Sequence, residues 1–458
     1  MYSPEGKKVL VLGAGKSGVE AAKLLLEKKA EKVVLSDIKP KNRLPAEALA
    51  LEKEGVEIEA EGHTGDSILH SDLIIVSPGV PVSGEWYDMI QRHGKNFVGE
   101  IEFAYDLMKE NGSPEVIAVT GTNGKTTTAT LVYEVLKKQA GDKVMLAGNI
   151  GIPFSKIVRE GKKCDYIVLE ISSFQLETIK NFRPYIAVIL NITHDHMDRY
   201  PSLQAYAEAK ANVFRNQTKD DFLILNAEDK FTNIMSPLSA SSKVLFSAYN
   251  ELDDGYFVSE GAFYKNVFGK KEKLFDTGAM KLKGKHNQEN VMAALIISDI
   301  LKFDPGGTIS AIKEFNGLPH RIEYAGEVNG IRYYNDSKAT NIDASVKAVR
   351  SFSDDMAVVL GGREKNTDFN SLLEAMPGSA KYVIAMGENS DRISGIFGEK
   401  MKVIKAENME EAVKKSAEIK DIKVVLLSPA CASFDMFRDY KHRGEEFKKQ
   451  VRKAAGNE

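Results

Sequence analysis

The run Val119-Thr120-Gly121-Thr122-Asn123-Gly124-Lys125-Thr126-Thr127 places glycines, hydroxyls and a lysine in an order that can hold a phosphate. Glycine permits a tight turn, successive N–H groups point at phosphate oxygens, the Lys125 ammonium adds a point charge, and the Thr126 hydroxyl can ligate Mg²⁺. Only Thr122 and Asn123 separate the two glycines, so the loop is shorter than the common GxxxxGK[ST] form. A glycine-rich turn beside a surface lysine is the plainer alternative. Glu170 closes the apolar run 166–169. An acidic residue at a strand's carboxyl end is where a Mg²⁺ ligand sits opposite a phosphate loop, although alone it could equally be a solvated charge. Residues 191–199, Asn-Ile-Thr-His-Asp-His-Met-Asp-Arg, crowd two histidines and two aspartates together. His194 and His196 could share a zinc, but no further His or Cys follows at suitable spacing, so a hard cation near phosphate, met by His196 or a carboxylate, fits better. Lys210 reads from its surroundings as a helix-surface lysine, and His63, His70 and His93 as surface or core fillers.

A second glycine loop, Gly13-Ala14-Gly15-Lys16-Ser17-Gly18, follows a predicted strand and opens a predicted helix. Its N–H groups and the helix N-terminus could hold a diphosphate, and Asp37, at the end of the next strand, could accept from a ribose hydroxyl. The motif points to a nucleotide-like ligand without choosing one, and a ligand-free tight turn remains the alternative. A nicotinamide-dependent dehydrogenase would use this loop but leave the 119–127 and 335–341 segments without a role. A nucleotide-controlled binding protein that performs no chemistry is the other rival.

These residues need a scaffold of parallel strands. Short Val, Ile and Leu runs followed by glycine turns and amphipathic stretches recur at 8–12, 32–36 and 73–76, at 116–119, 166–169, 186–190 and 222–225, and at 357–360, 382–385 and 424–427. That alternation builds α/β sheets with helices on both faces. Residues 239–285, polar and dotted with glycine and aromatics, read as short antiparallel strands. Turn chemistry at 109–114 marks a boundary. At roughly 150 residues per domain, 458 residues suggest three domains. Lys and Arg total 62 against 65 Asp and Glu, a net charge of −3, so no global basic field is available for a nucleic-acid backbone. Two isolated cysteines, no apolar leader and no run of about 20 apolar residues point to a reducing, cytoplasmic setting without a membrane span.

The loop GTNGKTT, the strand end LEISSFQLE at 169–177, HMDRYPS, HNQEN at 286–290, GLPHRIE at 317–323, NDSKATN at 335–341 and LLSPACASFD at 426–435 together resemble the Mur ligases, in order along nearly the whole chain. The resemblance implies three domains: an N-terminal Rossmann-like domain over 1–107, a central P-loop ATPase-like parallel sheet with a small antiparallel addition over 108–317, and a C-terminal Rossmann-like domain over 318–458. It implies an ATP-dependent ligase that joins D-glutamate to UDP-N-acetylmuramoyl-L-alanine through an acyl phosphate. Gly15, Lys16, Ser17, Gly18, Asp37, Gly79, Asn149 and His196 would then meet the UDP-sugar. Residues Gly121 to Thr127, with Asn287, Asn290, Arg321 and Asp336, would surround ATP. Lys338, Thr340, Lys365, Ser433, Phe434 and Tyr440 would line the D-glutamate pocket. Thr126, Glu170, His196 and Lys210 would hold two Mg²⁺, or Mn²⁺, with Lys210 carboxylated by CO₂ to a carbamate, and Lys125 would serve catalysis beside the last three. It further implies a monomer working on small molecules, with neither nucleic acid nor membrane as partner. Against the family pattern, His194 stands where an acidic residue is usual, Tyr440 where phenylalanine also occurs, and Lys16 where a hydrophobic residue occurs.

Overall fold

The computed structural model describes residues 3–109, 114–197, 199–363 and 368–456. Its strands form three sheets in chain order. The first contains β1 (Lys8–Leu12), β2 (Lys32–Ser36), β3 (Glu57–Glu59), β4 (Leu73–Val76) and β5 (Phe97–Gly99), ordered β3-β2-β1-β4-β5 and wholly parallel. Nearly continuous apolar runs such as Val9 to Leu12 suit strands covered on both faces. The order reverses between β1 and β4, which opens a crevice at the carboxyl ends of these strands, beside the 13–18 loop.

The second sheet contains β6 (Glu115–Thr120), β7 (Val144–Gly148), β8 (Tyr166–Glu170), β9 (Ile186–Ile189), β10 (Phe222–Asn226), β11 (Ser242–Ser247), β12 (Gly255–Ser259), β13 (Ala262–Val267) and β14 (Lys270–Asp276), in the order β14-β13-β12-β11-β10-β9-β6-β8-β7. The expectation of antiparallel strands throughout 239–285 fails at its start. β11 pairs parallel with β10, β12 meets β11 parallel, and the first antiparallel pair is β12 with β13. For β11 the reason is the connection: residues 227–241, which include the short helix Thr232–Met235, are long enough for a parallel crossover.

The third sheet contains β15 (Glu323–Val328), β16 (Ile331–Asn335), β17 (Met356–Gly361), β18 (Ala380–Met386), β19 (Lys402–Lys405) and β20 (Val424–Leu427), ordered β15-β16-β20-β17-β18-β19. β15 and β16 form an antiparallel hairpin closed by Asn329 and Gly330, at φ 52° and 78°, the conformation that an Asn-Gly turn favours. The remaining pairs are parallel.

Two compact units result, one of residues 1–192, 196–275 and 289–312, the other of 193–195, 276–288 and 313–458. In the first unit, one apolar core runs from Val9 and Leu35 through Phe103 to Leu169 and Tyr206, so the first two sheets share it. The helix Glu100–Met108 sits inside this core, with every residue buried. Its acidic residues are therefore engaged. The Glu102 carboxylate accepts the backbone N–H groups of Lys180 (3.0 Å), Asn181 (2.6 Å) and Phe182 (2.9 Å). Glu100 accepts the Ser155 N–H at 2.6 Å, and burial pushes its carboxyl above the usual carboxylate range. Replacing Glu102 with Gln turns an acceptor-only group into one whose NH₂ opposes those donors. We expect Glu102→Gln to lower unfolding stability by about 2 kcal/mol in urea titration; an unchanged midpoint would show that the three bonds carry no net stability.

Candidate functional site

In the first unit the chemistry-bearing residues lie at carboxyl ends of neighbouring strands. β1 runs into the 13–18 loop, and the helix Lys16–Glu27 starts directly after Gly15. A Cβ on Gly18 would lie 1.9 Å from the Gly13 carbonyl, so the position admits only glycine. Asp37 braces this loop: its carboxylate accepts the N–H groups of Ala14 and Lys39, each at 2.9 Å. Gly15, Lys16 and Gly79 are exposed, and Ser17 is half-buried.

The phosphate-loop candidate follows β6, and the helix Lys125–Ala140 begins at its end. The N-terminal turn of that helix, which holds Thr126 and Thr127, carries the positive end of its dipole. Asn191, at the end of the neighbouring β9, templates the loop. Its carbonyl accepts the Thr122 N–H at 2.8 Å, its side-chain oxygen accepts the Asn123 N–H at 2.8 Å, and its NH₂ donates to the Asn123 carbonyl at 3.0 Å. Sequence reasoning missed Asn191; its place just past a strand adjoining β6 was the available signal. Gly124 has φ 90°, and a Cβ there would lie 2.6 Å from Asn290 Oδ1, which also accepts from the Thr128 hydroxyl at 3.0 Å. Lys125 folds over the loop and donates to the carbonyls of Gly121 (2.8 Å) and Thr122 (2.7 Å).

Glu170 ends β8, beside β6, and is buried. Oε1 accepts from the Asn149 side chain at 2.7 Å, whereas Oε2 has no hydrogen-bond partner among the described residues. A buried carboxylate oxygen left in this state is costly unless a cation meets it, so Glu170 fits a metal ligand. Lys210 is 1% exposed, which corrects the surface-lysine reading. Tyr206, Ala207 and Lys210 recur at helical spacing on the inward face of the helix Leu203–Ala211. Lys210 Nζ donates to the Gly121 carbonyl at 2.9 Å and lies 4.4 Å from the Tyr206 ring centre. Both Lys125 and Lys210 thus meet one carbonyl of the loop. His196 is exposed at φ 56°, with its ring against Phe174. His194 is also exposed, and among the described residues no three His, Cys, Asp or Glu side chains converge as a metal cage.

In the second unit, Asp336 follows β16, accepting from the Ser428 hydroxyl at 2.9 Å and the Ile322 N–H at 3.3 Å. Burial pushes its carboxyl up to about 7, against the opposing pull of Arg321 and Arg443. The buried Arg443 spends its donors on Ser337, at the carbonyl (2.8 Å) and hydroxyl (2.9 Å), and on the Cys431 carbonyl (3.1 Å). Burial holds it at about 10. It ties the Lys338 loop to the Ser433 loop. Lys338 Nζ lies 4.0 Å from the Tyr440 ring centre, and the Ser337 hydroxyl donates to the Tyr440 carbonyl at 2.8 Å. Ser433 is buried, Phe434 is 57% exposed and Thr340 is exposed. The Asn287 side chain donates to the Lys283 carbonyl at 2.7 Å. Burial, aided by Lys347 and Arg321, holds His286 at about 4 and hence neutral. Lys365 lies outside the described residues.

Three family models match the chain in succession: the Mur ligase MurD-like N-terminal domain over residues 7–99, the Mur ligase middle domain over 119–298, and the Mur ligase glutamate ligase domain over 320–431. By these matches the chain belongs to the Mur ligase family and is an ATP-dependent ligase, which its parallel α/β sheets and the glycine loop after β6 suit. Its relatives narrow the group. It is 41% identical over 455 residues to the UDP-N-acetylmuramoylalanine–D-glutamate ligase of Geotalea daltonii, covering 99% of each chain. It is likewise 41% identical over 457 residues to that of Koribacter versatilis, again over 99% of each. Among solved structures, the MurF ligase of Thermotoga maritima in complex with ADP shares the fold at TM-score 0.62 and 18% identity, over 100% of this chain and 99% of that one. A pseudomurein peptide ligase type C from Methanothermus fervidus does so at 0.60 and 19%, over 97% and 99%.

The raised Asp336 carboxyl gives stability a pH dependence of definite sign. A carboxyl whose folded pKa lies above its unfolded value favours folding fully below the unfolded value, and that contribution is lost as pH rises through about 7. Asp336→Asn, neutral throughout, should gain thermal stability relative to the parent as pH rises from 5 to 8. A melting difference that stays flat over that range contradicts the assignment.

Proposed function

We propose that this chain catalyses ATP-dependent ligation of D-glutamate to UDP-N-acetylmuramoyl-L-alanine, yielding ADP and phosphate in peptidoglycan precursor synthesis. The observation that carries the reading is Glu170: it ends the strand next to the one that feeds the GTNGKTT loop, and its buried Oε2 has no hydrogen-bond partner among the described residues. The relatives supply the substrate, since those matched over 99% of their length bear that ligase name. In this reading the first sheet is a Rossmann-like UDP domain, the second a P-loop ATPase-like domain and the third a Rossmann-like D-glutamate domain, in a cytoplasmic monomer.

Gly121 to Gly124 shape the loop, the N–H groups at Lys125, Thr126 and Thr127 with the Lys125 ammonium orient the ATP phosphates, and Asn287, Asn290, Arg321 and Asp336 would each meet the nucleotide. The 13–18 loop, Asp37, Gly79, Asn149 and His196 hold the UDP-sugar. The alanine carboxylate attacks the γ-phosphorus, ADP leaves, and an acyl phosphate forms. The D-glutamate amine then attacks the acyl carbon, loses a proton, and phosphate departs. Positioning and electrostatics carry most of such a phosphoryl transfer. Lys338, Thr340, Lys365, Ser433, Phe434 and Tyr440 orient D-glutamate; its two carboxylates need local cations. Thr126, Glu170, His196 and Lys210 would hold two Mg²⁺, with Mn²⁺ as a substitute, and bound metal neutralises charge on the phosphates. Lys210 would enter that set as a carbamate: the ammonium gives a proton to solvent, the neutral amine nitrogen adds to CO₂ with loss of a second proton, and two hard oxygens replace the cation.

With ATP and UDP-N-acetylmuramoyl-L-alanine present, ADP formation should require D-glutamate; equal turnover with L-glutamate or L-alanine would reject the substrate assignment. Lys210→Ala should lose activity that short-chain carboxylic acids partly restore. Full activity without such rescue rejects the carbamate role.

A further inference from the structure

The short turn of helix Ser173–Leu176 and the residue after it have no role in the reaction as proposed above, yet Phe174 in that turn meets the ring of His196, one of the expected metal-holding side chains. The segment starts three residues beyond Glu170 and is stiffened by a capping box: Ser172 caps the Gln175 N–H, and the Gln175 side chain accepts the Ser172 N–H at 2.9 Å. Glu177 follows directly. Its carboxylate accepts from the Arg199 guanidinium through two N–H groups, one at 3.1 Å, and from the Tyr200 hydroxyl. Arg199 and Glu177 are each 17% exposed at the side chain, so this ion pair is only lightly screened.

Arg199 and Tyr200 in turn fix His196, because their N–H groups donate to the His196 carbonyl at 3.0 and 3.1 Å. That bonding matters because His196 sits at φ 56°, a left-handed conformation that a non-glycine residue keeps only when its surroundings hold it. Phe174 acts from the same turn. Its face lies under the Arg199 guanidinium at 4.1 Å, and its ring meets the His196 ring at 4.8 Å between centroids. Tyr200 continues the contact to Tyr206 at 5.1 Å, the ring over which Lys210 Nζ lies.

We propose that Glu177 is a positioning residue for the cation site: through Arg199 and Tyr200 it sets where His196 and Lys210 stand relative to Glu170. This inference rests on the proposed reading that His196 helps to hold a divalent cation. Ion pairs and hydrogen bonds that orient ligand side chains typically change metal affinity ten- to a hundredfold when removed.

The test is Mn²⁺ titrated into the full-length protein with a non-hydrolysable ATP analogue, read by electron paramagnetic resonance, beside a thermal melt. Glu177→Gln should weaken Mn²⁺ binding roughly ten- to a hundredfold without a comparable loss of melting temperature. In turnover, it should raise the Mg²⁺ needed for half-maximal rate and leave the KM for D-glutamate unchanged. His196→Ala reports on the underlying reading: wild-type Mn²⁺ affinity in that variant overturns the reading and the inference together. Loss of Mn²⁺ affinity in His196→Ala with wild-type affinity in Glu177→Gln overturns the positioning role alone. Should Glu177→Gln fail to fold, Arg199→Lys and Tyr200→Phe each remove part of the same contact, and wild-type Mn²⁺ affinity in both likewise overturns the positioning role.

Discussion

A loop that is to hold phosphate has to keep its shape before any phosphate arrives, and the site proposed in the first unit depends on how that is done. Here the sheet does it. β9 pairs with β6 in parallel register up to Thr120 and Ile189, and the residue Asn191 extends that register past the last strand bond into the loop. Asn191 meets Thr122 and both backbone groups of Asn123, so loop shape is set by strand register rather than by ligand. A buried amide bonded in both directions is strongly directional, because each misaligned partner would be left unpaired. Gly124 then lets the helix Lys125–Ala140 begin close against Asn290.

Charge follows the same local plan. A net charge of −3 offers anionic substrates no general attraction. The Lys125 ammonium is instead held at the loop itself, on the Gly121 and Thr122 carbonyls. In the second unit, Arg443 is buried and bonded to backbone carbonyls and a hydroxyl. Such an arrangement keeps a positive field under the loops of Lys338 and Ser433 while fixing both loops, which a flexible lysine could not do with one nitrogen.

The strands and both glycine loops were legible because they rest on short-range rules: apolar runs bounded by turns, and glycines where backbone must approach backbone. Glu170 was legible from its place at a strand end. The orientation of β11 was not, since a polar segment with alternating side chains fits either direction and the crossover length decides it. Lys210 was misread from composition because burial of a lysine depends on partners distant in sequence, here Gly121 and its own helix neighbour Tyr206. Asn191 and Glu177 lay inside recognised segments but carry ordinary residue types; what they do follows only from contacts across strand ends and between segments.

The shared core of the first two sheets bears on catalysis. The helix Glu100–Met108 is buried along its length between them, and Arg159 joins Glu20 and Glu27 across the same seam at 3.1 Å each. Packing of that kind resists small displacements, since close-packed interiors transmit strain rather than absorb it. In the proposed reaction the UDP-sugar loop and the phosphate loop both belong to this unit. The acceptor carboxylate and the γ-phosphate would therefore be oriented by loops that stand on one shared core. The first chemical step would draw its advantage from fixed geometry, the condition under which proximity lowers a barrier most.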